Sequence, residues 1–72
     1  MNNNQQNDET LFEKTIGLIG QKRVFVDVKQ NKQGVYLKIT EKGQNGNKNT
    51  VLIPASGLKK FRDVLEEALD NV

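Results

Sequence analysis

In RVFVDVK, residues 23–29, Arg23, Phe25, Asp27 and Lys29 alternate with Val24, Val26 and Val28. In VYLKITE, residues 35–41, Tyr36, Lys38 and Thr40 alternate with Val35, Leu37 and Ile39. Successive side chains of a strand point to opposite faces, so each segment carries aliphatic groups on one side and rings with cations on the other. The second combination has a definite chemistry. An unpaired nucleobase stacks on an aromatic ring for about 1–3 kcal/mol, while ammonium and guanidinium groups hold phosphate oxygens. A duplex keeps the faces of its bases inside, so such rings select single strands. The same parity also suits rings that meet in a contact between two copies, or a cross-strand aromatic pair.

Bond-making chemistry is poorly supplied. The 72 residues include no His, Cys or Trp, which removes Ser-His-Asp and Cys-His arrangements and the usual zinc ligands. Ser56 stands just before a helical pattern and reads as an N-cap, not a nucleophile. Glu66, Glu67 and Asp70 read as the solvated side of that helix, not as a metal cluster. No catalytic residue, metal, cofactor or small-molecule substrate is expected. Absence of Cys excludes a disulfide framework and suits a reducing compartment. The opening MNNNQQNDET has no apolar residue after Met1, so neither a secretory signal nor a membrane span is expected. A cytoplasmic protein is expected, compatible with the nucleoid.

The formal charge of +2 conceals a segregation. Residues 1–13 carry −3 from Asp8, Glu9 and Glu13, and residues 63–72 carry −4 from Asp63, Glu66, Glu67 and Asp70. All 11 Lys and Arg lie between Lys14 and Arg62, opposed only by Asp27 and Glu41. A basic block of this kind is the electrostatic footprint of a polyanion binder, because each phosphate contact releases counterions. A merely solvated Lys-rich surface is the competing interpretation.

Residues 1–9 form an amide-rich tract that cannot repay the entropy of ordering, and a disordered tail is predicted there, with one domain over residues 10–72. TLFEKTIGLIG, from Thr10, places Phe12, Ile16 and Leu18 on one parity and Leu11 and Ile19 on the other; with Gly17 and Gly20 it predicts a strand over about 11–19. The two alternating segments predict strands over about 23–30 and 35–42, joined by a turn at QNKQG. After the polar loop GQNGNKN, TVLIP predicts a fourth strand over 50–54, ended by Pro54. Leu58, Phe61, Leu65, Ala68, Leu69 and Val72 recur at steps of three and four, predicting an amphipathic helix over about 56–70. The fold class is therefore α+β, a four-stranded antiparallel sheet followed by one C-terminal helix.

Leu, Ile, Val and Phe make up 21 of the 72 residues, above the roughly one-fifth below which disorder is expected. Yet four strands about 4.8 Å apart make a sheet roughly 19 Å wide, whereas a helix is about 10 Å across. With Val24, Val26 and Val28 packed under it, one helix covers about half of the apolar face. A homodimer sharing its helices is expected to cover the rest.

KRVFVDVKQNKQGVYLKITEKGQNGNKN followed by IPASGLKKFRDVLEEALD resembles a single repeat of the Pur-alpha family of purine-rich element binding proteins. The resemblance spans roughly residues 10–71. Its most specific parts are Asp27-Val28-Lys29-Gln30-Asn31 with Gly34 and Leu37-Lys38-Ile39, and Phe61-Arg62-Asp63 with Leu65. It implies two repeats intertwined as one unit, here a homodimer of the bacterial single-repeat form. It further implies binding of single-stranded DNA or RNA with a purine-rich preference. Lys29 and Asn31 match the family's polar contacts before the hairpin turn, and Tyr36 stands where the family usually has a Phe that wedges beside a base. Gln33 and Val35 depart from the basic residues common at those positions. With Lys32 in the turn, the expected nucleic-acid-binding residues are Arg23, Phe25, Lys29, Asn31, Lys32, Tyr36 and Lys38. An interaction module whose open sheet docks a protein is the alternative of another class.

Overall fold

The computed structural model describes residues 8–72. Four strands, β1 (Glu9–Ile19), β2 (Lys22–Asn31), β3 (Gly34–Lys42) and β4 (Lys48–Pro54), are followed by a 3-10 turn (Ala55–Gly57) and helix α1 (Leu58–Leu69). The strands form one antiparallel sheet in the order β1-β2-β3-β4, the α+β fold that the alternation and the helical stripe predict. The amide-rich residues 1–7 of the predicted tail lie outside the described residues. Glu9, at its end, belongs to β1.

The hairpins arise from local chemistry. Gly20 and Gln21 connect β1 to β2, with Ile19 paired to Lys22, and Lys32 and Gln33 connect β2 to β3, with Asn31 paired to Gly34. Asn31 closes the second turn by accepting the Gln33 N–H on its Oδ1 at 2.8 Å, a local bond of the kind that makes Asn a turn residue. Gly34 has φ 130° there, a conformation that a β-carbon opposes.

β1 departs from simple alternation. Its register with β2 shifts between Thr10 and Phe12 and again between Thr15 and Gly17, and Gly17 takes φ 98° at the second irregularity. Each extra residue reverses the parity of the residues after it. Phe12 consequently shares a face with Val28, whereas Leu18 shares the opposite face with Arg23. The common parity expected of Phe12 and Leu18 is thereby corrected.

Ser56 is not the helix cap. It lies inside the 3-10 turn, α1 begins after Gly57, and no side chain caps either element. The Leu58 N–H is taken instead by the Ala55 carbonyl, so backbone supplies a bond that the sequence pattern assigned to a hydroxyl. At the other end the Asn71 amide donates to the Glu67 carbonyl at 2.9 Å.

One face of the sheet gathers Phe12, Val24, Val26, Val28, Leu37, Ile39, Val51 and Ile53. The expectation that the helix covers Val24, Val26 and Val28 is not met within one chain. Helix α1 packs on the 3-10 turn, and its apolar stripe grows more exposed along its length, from half-buried Phe61 to Leu65 at 50% and Leu69 at 71%. Among the described residues no hydrophobic side chain is buried. Three residues of 3-10 turn join strand to helix, and α1 rests on that turn in place of the aliphatic face.

On the apolar face's edge, Glu41 accepts from the Asn49 amide at 3.1 Å and pairs with Lys22 at 3.2 Å. These partners, the Asn49 hydrogen bond first, hold its carboxyl below the ordinary value. A depressed native pKa contributes stability above the unfolded pKa and loses it as pH falls through the folded one. Glu41→Gln should therefore lower the melting temperature slightly at pH 7 and leave it unchanged at pH 2–3, as paired thermal melts would read.

Candidate nucleic-acid interface

The opposite face of the sheet is assembled in cross-strand rows. Beginning at the β2–β3 hairpin, Asn31 lies beside Gly34; next comes the row Thr10, Lys29, Tyr36 and Pro54. The third row is Glu13, Asp27, Lys38 and Leu52, and the fourth Thr15, Phe25, Thr40 and Thr50. Leu18, Arg23, Lys42 and Lys48 form the last. Arg23, Phe25, Lys29, Asn31, Tyr36 and Lys38 thus share one face, while Lys32 is exposed in the turn beyond it. Two bulge-free strands do this: β2 and β3 stay in register over their whole length, so period-2 parity holds from Arg23 to Lys42.

Side-chain contacts order the hairpin end. Lys29 Nζ donates to Thr10 Oγ1 at 2.9 Å, which draws the ammonium along the surface between β1 and β2. The Tyr36 hydroxyl donates to the Asp8 carboxylate. That hydrogen bond, with burial and the carboxylate's charge behind it, raises the phenol above its ordinary pKa, so the ring is held neutral. Asn31 spends its Oδ1 on the turn, a bond in which its Nδ2 donors take no part. A hollow of about 350 Å³ bordered by Asp8, Asn31, Gln33, Tyr36, Leu52 and Pro54 lies at this end. It joins a ring and two apolar walls to amide and carboxylate groups, the mixture that receives a base and reads its edge.

Phe25 and Tyr36 are both half-buried but do not form a cross-strand pair. Tyr36 is opposite Lys29, and Phe25 is opposite Thr40; two rows, about 13 Å at 3.3 Å per residue, separate the rings along the strands. Each ring is therefore its own platform with a cation nearby. Acids on this face are Glu13 and Asp27, both in the middle row, with Asp8 at the hairpin end. Among the described residues no three carboxylates, histidines or cysteines converge on a metal-binding geometry, and no helix is long and apolar enough to cross a membrane.

Lys42, Lys48 and Asp8 join this face or its rim although the sequence pattern did not single them out. Lys42 has the parity of Lys38 and Thr40. Lys48 falls in the polar loop that the pattern predicts over residues 43–49, since the apolar run begins only at Val51; in the structure it opens β4, and its pairing with Lys42 continues the parity of Thr50 and Leu52. Asp8 carried no signal, since its contact with Tyr36 crosses 28 positions of sequence.

Residues 8–72 match a family model described as "PurA ssDNA and RNA-binding protein". Among curated proteins, the human transcriptional activator protein Pur-alpha is 42% identical over 53 residues, 74% of this chain and 16% of that protein. The transcriptional regulator protein Pur-beta of Danio rerio is 38% identical over 53 residues, 74% of this chain and 18% of its own length. The chain spans less than a fifth of the length of these relatives.

Proposed function

We propose, from the premise that this chain belongs to the PurA family of single-stranded DNA- and RNA-binding proteins, that it binds a single strand on the ring-and-cation face of its sheet and works as a homodimer. The observation that supports the site most directly is the uninterrupted β2–β3 register, which gives Arg23, Phe25, Lys29, Asn31, Tyr36 and Lys38 a common face. Tyr36 and Phe25 stack on bases. Lys29 and Asn31 meet the backbone and base edges near the hairpin, Arg23 and Lys38 hold phosphate, and Lys32 adds charge at the turn. Binding by stacking and charge breaks no covalent bond, so the protein acts without catalysis. Purine-rich strands are favoured because stacking strength is what such a site reads.

The dimer is argued from energetics. Folding must offset roughly 1–2 kcal/mol of backbone entropy per residue, and a chain with no buried hydrophobic side chain among its described residues has no means to do so alone. It nevertheless carries both halves of a helix-on-sheet core, an apolar face and an apolar helical stripe, which are not packed on each other. A second copy supplies the missing half to each, by a two-fold exchange.

Mobility shift of a fluorescent purine-rich 24-mer tests the binding. A shift at low salt that is weaker for the corresponding duplex is expected. Lys29→Ala should reduce the slope of log affinity against log salt by about 0.7, one phosphate contact on a single strand. No shift at low salt would turn the open sheet into a docking face for a protein partner.

A further inference from the structure

We infer that the end of this face remote from the β2–β3 hairpin is a second nucleotide subsite, in which Arg23, Lys42 and Lys48 hold phosphates and Phe25 stacks a base. The inference rests on single-strand binding at the hairpin end and extends it along the sheet. Three strands meet here in register, with Arg23 directly opposite Lys42 and Lys42 directly opposite Lys48. Like charges directly across a ladder repel one another, and adjacent strands lie only about 4.8 Å apart. Three cations within about 10 Å therefore oppose each other in the free protein and gain when an anion lies across them.

No described acid is placed to neutralise them. Glu41, next to Lys42 in sequence, faces the other side of the sheet, where Lys22 and Asn49 occupy it at 3.2 Å and 3.1 Å. Among the described residues no ion pair involves Arg23, Lys42 or Lys48. A hollow of about 280 Å³ opens beside the row, bordered by Leu18, Gln21, Arg23, Phe25, Lys42 and Gln44. It sets an aromatic ring next to two cations, with two amides able to bond a base edge. A basic row alone would suit any polyanion; the ring and amides beside it fit a nucleotide.

The spacing to the hairpin subsite is also that of a strand. Six residues separate Arg23 from Lys29, about 20 Å along β2. Phosphates repeat about every 3.4 Å in a stacked strand and at roughly twice that when extended, so about three to six nucleotides join the two ends. Between them the row of Glu13, Asp27 and Lys38 sets one cation against two acids, so beyond the Lys38 contact the phosphates are held mainly at the two ends.

The test measures fluorescence anisotropy of a labelled purine-rich 12-mer between 50 and 200 mM NaCl. Wild type is compared with Lys42→Gln/Lys48→Gln, with Lys59→Gln/Lys60→Gln on the helix as a control of equal charge change. The subsite predicts a slope lower by about 1.4 for the sheet pair, so that wild type loses about sevenfold more affinity than this variant across that range. The helix pair should keep the wild-type slope. Arg23→Gln, on a different strand, should show about half the effect and guards against a folding defect in β4. A wild-type slope for the sheet pair, with Lys29→Ala still flattened, would overturn the second subsite and leave the hairpin site standing. Equal flattening by the helix pair would overturn it too. Unchanged slopes for both Lys29→Ala and the sheet pair would remove single-strand binding on this face altogether.

Discussion

Leu65→Asp is expected to abolish dimer formation and to unfold the chain at concentrations where the wild type is folded, although Leu65 is 50% exposed within one chain. For a surface position the change would stay within about 0.5 kcal/mol. If the helical stripe lies on the partner's apolar sheet face, the carboxylate replaces an apolar side chain among aliphatic residues, with Lys14 the cation in their middle row, at a cost of about 3–5 kcal/mol where it forms no ion pair. A domain of this size has a total stability of only about 4–11 kcal/mol at 0.05–0.15 kcal/mol per residue. Light scattering should give a dimer mass for wild type and a monomer mass, with loss of circular dichroism, for the variant. Glu66→Gln, one residue along on the polar side, should alter neither. A wild-type monomer that melts cooperatively, or a Leu65→Asp protein with unchanged mass and melting temperature, would refute the shared core. The discriminating power lies in the choice of an exposed residue, since a half-buried one such as Ile39 would destabilise either assembly.

Tyr36→Ala is expected to weaken single-strand binding by about 1–3 kcal/mol, roughly 5- to 150-fold, the worth of one base stacked on an aromatic ring. The ring stands between Lys29 and Pro54 in its row and borders the hairpin-end hollow, so its removal takes away the platform while the neighbouring cation stays. Tyr36→Phe separates the ring from the hydroxyl. It should retain most of the affinity, because only the bond to Asp8 is lost. Salt dependence should be nearly the same in both variants, since no cation has been removed. Equal affinity of wild type and Tyr36→Ala, with folding intact, would exclude stacking at this position.

The parts of the fold that were legible in advance are those in which one physical rule acts alone. β2 and β3 alternate without interruption and are joined by a two-residue turn in which Asn31 and Gly34 do what those residues do locally. Their common face could therefore be written down residue by residue. β1 obeys the same rule between its irregularities, but two register shifts reverse its parity, and Phe12 and Leu18 part company. A bulge is a property of pairing between strands, and nothing in TLFEKTIGLIG marks its position except Gly17. Ser56 has the chemistry of a cap and stands one position too early, because the chain enters the helix through a 3-10 turn whose backbone bond competes with the hydroxyl.

Sequence alone determined the order of elements, the chemistry of the two faces and the exclusion of thiol, imidazole and disulfide chemistry, because composition, period-2 alternation and helical spacing act over a few residues. Tertiary structure decided which side chains stand in the same row. It brought Lys48 beside Lys42 and Arg23, Asp8 beside Tyr36, and separated Phe25 from Tyr36 by two rows. It also decided that the helical stripe and the apolar face, each evident from its own pattern, do not pack together within one chain. Pairing register and helix direction depend on contacts between segments far apart in sequence, and local spacing carries no record of them.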